Sequence, residues 1–199
     1  MKKEKFLAVA IMSALMASTF SVSAADTAPE KVTVNGAKIN FTGSVVSAPC
    51  IVDNDSNNQT VNLGQVTTKA MAKKGDSSTA VPFTIKLTGC DLAATDVSDP
   101  TKSANYTKVA ITFNGTTAGD DSTLALAGNG AGSSVAKNVG IQILQNNTAL
   151  KVDGSTPAQS SELVAGSNEI PFSAAYVATG DNVTAGSANS SVSFQITYE

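Results

Sequence analysis

The chain has 199 residues, and its 13 basic side chains, every one a lysine, are outnumbered by 16 acidic ones for a formal net charge of −3. An acidic balance with no Arg offers little to a nucleic-acid backbone, whose affinity depends on grouped cations. With no His there is no Ser-His-Asp or Cys-His arrangement, and Cys50 and Cys90 lack the Cys-x-x-Cys spacing and His partners of a zinc site.

Lys2, Lys3 and Lys5 open the chain and are followed by a mostly apolar, uncharged run from Phe6 to Val22. Val22-Ser23-Ala24 then places small residues where a signal peptidase reads them. The layout predicts a secretory signal at 1–24, cleaved after Ala24 or Ala25. A membrane anchor is the rival reading, but the run is short for a span of roughly 20 apolar residues. Cleavage removes three lysines and Glu4, which leaves the mature chain near −5. An exported chain with two cysteines most economically pairs Cys50 with Cys90, a loop closure of roughly 3–4 kcal/mol.

The mature part reads as all-β, because short alternating runs bounded by Gly, Asn, Asp and Ser recur where helical periodicity is missing. Residues 25–48 form an N-terminal extension ahead of a domain at 49–199. Within the extension, Ile39, Phe41 and Val45 share one strand face with Gly43 in line between them. A single helical turn is expected near Lys69 to Lys74. Val81, Phe83, Ile85 and Leu87 then alternate up to Cys90, and Val109, Ile111 and Phe113 alternate up to a turn at Asn114-Gly115. Residues 115–136, rich in Gly, Ser, Thr and Ala, read as loop with a weak strand at Leu124-Ala125-Leu126. A hairpin is expected where Val139, Ile141 and Ile143 run into Gln145-Asn146-Asn147-Thr148 and return through Leu150 and Val152. The last strand is the clearest, with Val192, Phe194, Ile196 and Tyr198 on one face. Several short strands separated by turns indicate a β-sandwich of immunoglobulin-like arrangement.

Two features of this pattern do not fit a self-sufficient sandwich. The extension carries a strand face with nothing local to cover it, since Asp26 to Gly36 is polar and contains Pro29. At the other end the apolar strand is expected to close the chain, with no further strand to cover its edge. Either the extension folds back into its own sandwich, or the extension of one molecule fills the groove of the next. The second arrangement joins copies head to tail and does not close, so it gives a filament.

A resemblance bears on that choice. The stretches Phe41 to Cys50, Gln59 to Val66, Phe83 to Cys90, Asn138 to Leu144 and Ile170 to Tyr176 resemble the major subunits of type 1 and P fimbriae, the chaperone–usher pilins. Pilin C-termini in that family carry a penultimate tyrosine and a glycine fourteenth from the end, positions held here by Tyr198 and Gly186. The resemblance implies an immunoglobulin-like β-sandwich lacking its last strand. It implies that a periplasmic chaperone lends a strand, and that at an outer-membrane usher the next subunit's extension replaces it. On this reading Ile39, Phe41, Gly43 and Val45 are donor residues, while Gly186, Val192, Phe194, Ile196 and Tyr198 line the acceptor groove. The expected partners are other pilin subunits, chaperone and usher, the expected location is the cell-surface fimbrium, and no cofactor, metal or nucleic acid is implied.

Competing classes remain distinguishable. The carboxylates of Asp120-Asp121 and Asp53-Asn54-Asp55 stand on Gly-, Asn- and Ser-rich ground, where solvated loops are expected before an acid–base pair or a calcium site. A tip adhesin would need a lectin domain for which the chain is short, and sugar platforms favour Trp, of which there is none. A minor adaptor pilin differs from a shaft subunit in copy number within purified fibres.

Overall fold

The computed structural model describes residues 30–199 apart from 94, 97–98, 104–105 and 129–133, so the expected signal segment and mature N-terminus lie outside the described residues. The chain divides into two units, Met1–Gly43 and Ser44–Glu199. In the first, residues 30–43 have no regular secondary structure and are exposed. The strand expected at Ile39–Val45 is therefore not formed within the chain, for the physical reason that a strand exists only through ladder bonds to a neighbour. Ile39, Phe41 and Val45 are 74, 91 and 103 % exposed.

The second unit holds eleven strands among its described residues: β1 (Ile51–Val52), β2 (Val81–Cys90), β3 (Thr95–Asp96), β4 (Asp99–Ser103), β5 (Lys108–Gly115), β6 (Thr123–Leu124), β7 (Val139–Gln145), β8 (Thr148–Ala149), β9 (Ser161–Glu162), β10 (Gly166–Ala178) and β11 (Val192–Tyr198). One sheet runs β1-β2-β10-β7-β6 with β8 beside β7, a second runs β11-β5-β9, and β3 and β4 pair with each other. The two larger sheets share one core. Ile85, Leu87, Ile141, Ile143, Ile170 and Phe172 of the first are buried, as are Val109, Ile111 and Phe113 of the second. Phe113 meets Phe172 edge-on at 5.1 Å between ring centroids, which stitches the sheets together. This is an all-β sandwich of immunoglobulin type.

The strands expected at Val81, Val109, Val139 and Val192 are present, each within a few residues of its predicted bounds. Asn146 and Asn147 both have positive φ, 50° and 63°, the geometry of the two-residue turn that matches the twist of a hairpin, here β7–β8. Two expectations shift. The helical turn is a 3-10 turn at Thr68–Met71, where Thr67 Oγ1 accepts the Ala70 N–H at 3.3 Å, and its purpose in packing is Met71, fully buried. The weak strand is β6, one residue earlier than expected, paired with β7.

The longest strand, β10, is absent from the alternation reading. Pro171 and the Ala174-Ala175 pair blur a pattern in which Asn168, Ile170, Phe172, Ala174, Tyr176 and Ala178 are buried. Pro171 is tolerated because pairing with β7 begins only at Ser173, so at that point β10 has β2 alone beside it.

Candidate functional site

β5 is covered on both edges. β11 pairs with it along its length on one side, from Val192↔Gly115 to Tyr198↔Val109. On the other side the segment 152–163 supplies bonds, with the Gly115 N–H donating to the Val152 carbonyl at 2.7 Å and the Ala158 N–H to the Ile111 carbonyl at 2.7 Å. No such cover exists for β11, whose second edge has no strand or backbone partner among the described residues.

The identity of the groups on that edge follows from the ladder. Glu199 and Lys108 exchange both of their backbone bonds, each 2.9 Å, so they form a hydrogen-bonded antiparallel pair. Alternation then turns the backbone groups of Ser193, Gln195 and Thr197 towards β5 and those of Val192, Phe194, Ile196 and Tyr198 outwards. The same four residues carry the apolar side chains. These pack against the core yet stay half-buried, in contrast to the fully buried Val109, Ile111 and Phe113 opposite. One edge thus presents a row of unpaired backbone groups beside an apolar face that lacks its outer cover.

Gly186 lies just ahead of β11, on the rim of a cavity of about 530 Å³ whose lining includes Met71, Val139, Tyr176 and Val183. The structure supplies a reason for this glycine that sequence reasoning missed. A Cβ there would stand 2.4 Å from the Ala136 nitrogen, 2.5 Å from the Ser134 oxygen and 2.6 Å from the Val135 carbonyl carbon. Two backbones run side by side in parallel at this point, held by Ser187 N–H to the Ser134 carbonyl at 2.8 Å and Ala136 N–H to the Ser187 carbonyl at 3.0 Å. Sequence carries no signal for such a close approach beyond the glycine itself.

At the opposite end of β11 stands the disulfide, formed between Cys50 and Cys90. The Tyr198 hydroxyl is directed at the Cys50 carbonyl oxygen, 3.4 Å away, and its ring meets Tyr106 edge-on at 6.0 Å. Burial pushes the Tyr198 phenol above its ordinary value. The C-terminal end of β11 therefore lies beside the root of the extension.

The carboxylates considered as alternative chemistry serve turns. Asp53 Oδ1 accepts the Asp55 N–H at 2.9 Å, and Asp121 pairs with Lys151 at 2.8 Å. Burial alone would raise the Asp120 carboxyl, but hydrogen bonds from Ser122 and Thr123 outweigh it and hold the group below the ordinary range. Among the described residues no cluster of His, Cys, Asp or Glu could hold a metal ion, and no helix is long and apolar enough to cross a membrane.

Fold and site together define a class: an immunoglobulin-like sandwich that is one strand short beside β11. The chain belongs to the fimbrial protein family, which matches residues 39–199. It is 43 % identical to the type-1 fimbrial protein A chain of Escherichia coli K12, over 99 % of this chain and 100 % of that one. Identity to the type 1 fimbrial subunit of Klebsiella pneumoniae is 42 %, with the same coverage of both chains. Among solved structures, the fold is similar to that of a chaperone–usher pilus subunit (TM-score 0.65, 24 % identity, 86 % of this chain and 100 % of that one). It is also similar to the P pilus rod subunit PapA (TM-score 0.60, 22 % identity, 76 % of this chain and 100 % of that one). Family membership makes this chain a structural subunit of surface fimbriae, fibres built by polymerising such subunits.

Proposed function

We propose that the chain polymerises by strand donation: Ile39, Phe41, Gly43 and Val45 of one subunit fill the edge of β11 in the next. The observation that carries the reading is the coincidence on β11 of outward backbone groups and a half-covered apolar face at Val192, Phe194, Ile196 and Tyr198. A donated strand satisfies both at once. Each large apolar side chain it buries contributes about 1.5–3 kcal/mol, and each added backbone bond about 0.5–1.5 kcal/mol.

Two further observations support the assignment. Gly43 has no positive φ, and a Cβ there would meet nothing within 4 Å, so the isolated chain gives no reason for a glycine. Close approach to a second chain does. The extension also leaves the sandwich at Cys50, beside the Tyr198 end of β11. In a head-to-tail filament the incoming strand then enters from the Val192 end and runs antiparallel to β11.

The same exposed edge is a hazard before assembly, since unpaired strands template aggregation. This favours delivery by a periplasmic chaperone that covers β11, with an outer-membrane usher as the place of exchange, after removal of residues 1–24. A peptide spanning residues 34–47, added to a variant truncated before Ser44, should raise the unfolding temperature in a concentration-dependent manner. No shift at saturating peptide would refute strand donation by this segment.

A further inference from the structure

Ile51 and Val164 are each 58 % exposed, and both are anchored to the disulfide. Ile51 follows Cys50 directly, and its Cδ1 lies 3.8 Å from the place a Cβ on Gly89 would occupy. On the other side the buried Asn168 amide donates to Cys90 Sγ at 3.3 Å and to the Val164 carbonyl at 2.7 Å, while its oxygen accepts the Val164 N–H at 2.8 Å. These are apolar groups held in place by a covalent bond and a fully used amide, at the end of the sandwich from which the extension departs. Both stay largely exposed among the described residues.

We infer that this surface is a second contact between successive subunits, in which Ile51 and Val164 pack on the rim at the Gly186 end of the neighbouring copy. The inference rests on the strand-donation reading. Its first support is reach. Only four residues, 46–49, separate Val45 from Cys50. Even fully extended, the five steps between those two Cα atoms span roughly 17 Å. Once Val45 is seated in the neighbour's groove, the disulfide end cannot stand far from the groove's mouth.

The second support is composition. The stretches 44–52, 87–90 and 163–168 at the disulfide end and 64–68 and 183–191 at the receiving end hold no charged side chain, while charges border both, Asp91 and Glu162 at the first and Lys69 and Asp181 at the second. A contact centred on these stretches sets no charged side chain of one copy directly against a like charge of the other. Val66, 37 % exposed on the receiving rim, offers an apolar counterpart. A patch this small would not hold two free subunits together, because stable interfaces bury about 1,200–2,000 Å². Tethered by the strand joint, it acts at high effective concentration and stiffens the joint rather than making it.

Photo-crosslinking in assembled fibres tests this. A benzophenone amino acid is placed singly at Ile51, at Val164 and, as a control for the joint, at Phe41. The expected products from positions 51 and 164 are adducts to residues 64–68 or 183–191 of another subunit, identified by peptide mass spectrometry. Adducts from Phe41 to β11 of a neighbour, with none from 51 or 164 to that rim, would overturn the contact and leave strand donation standing. If Phe41 fails to reach any neighbour's β11, strand donation falls and the contact falls with it. In parallel, fibres of Ile51→Ser/Val164→Ser should keep their subunit linkage in detergent without heating while their bending persistence length falls at least twofold. An unchanged persistence length would also overturn the proposal.

Discussion

Two glycines show how different the demands behind one residue type are. Gly186 is required by its own chain, because a Cβ would sit 2.4–2.6 Å from three backbone atoms of residues 134–136. Gly186→Ala must push that segment away and open the rim of the cavity, an overpacking cost of about 1–3 kcal/mol. The truncated subunit bound to peptide 34–47 should lose several degrees of unfolding temperature. Gly43→Ala meets nothing in the isolated chain, so the subunit should keep its own stability and lose only donor strength, read as faster dissociation of the corresponding peptide variant. Equal damage to subunit stability from both changes would show that Gly43 serves the subunit's own fold. The tyrosines give a pH signature at the same scale. Burial raises the phenols of Tyr176 and Tyr198 from their ordinary value of 10.0. A folded-state value above the unfolded one means that the folded protein binds more protons in that interval. The associated stability is whole below about pH 10 and is lost as pH rises through the raised values. Phenolate absorbance of the folded subunit should appear later than that of the denatured chain, and Tyr198→Phe should flatten the alkaline fall in unfolding temperature.

At the scale of elements, β11 was the most legible part of the sequence and β10 the least. Val192, Phe194, Ile196 and Tyr198 alternate with Ser, Gln and Thr because one face meets the core and the other meets water, the condition under which a period of two is written plainly. β10 lies between β2 and β7 and its outer face need not be polar, so Ala175 is as buried as Ala174 and the period dissolves. The two-residue strands β1, β3, β6, β8 and β9 are shorter than any periodicity can reveal. Gly186 was found by its place in a pattern, while its reason, the close parallel approach of residues 134–136, is tertiary and leaves no local trace. What was legible about the groove was its apolar face; what was not was the direction of its backbone groups, which only the pairing with β5 determines. Phe194 stands opposite Phe113 in that pairing. Phe194→Asp places a carboxylate against the core with no cation to receive it, at a cost of several kcal/mol. The subunit itself should become scarce, so that its level in periplasmic extracts falls well below wild type. A normal level would mean that the inner face of β11 does not contribute to the core as described.

For the whole molecule, the proposed strand donation has one decisive consequence: donor and acceptor belong to one chain but act on different copies. Phe41 is 91 % exposed and belongs to the unit Met1–Gly43, distinct from Ser44–Glu199. On the proposed strand donation, Phe41→Asp removes nothing that the mutant's own sandwich uses, while it carries an unpaired charge into the neighbour's apolar groove. The mutant should fold, accumulate to the wild-type level and still accept a wild-type extension, yet fail to donate its own. In cells expressing only this variant, periplasmic subunit should be plentiful and surface fibre absent. Mixed with wild-type subunits it should shorten fibres in proportion to its share, because each incorporated copy can make only one of its two joints. Phe194→Asp gives the reverse pattern, with little subunit to begin with. Under the alternative in which the extension completes its own sandwich, Phe41→Asp would behave like Phe194→Asp and deplete the subunit. Quantifying periplasmic subunit and surface fibre side by side for the two variants separates the arrangements, since one predicts opposite effects on subunit level and the other predicts the same.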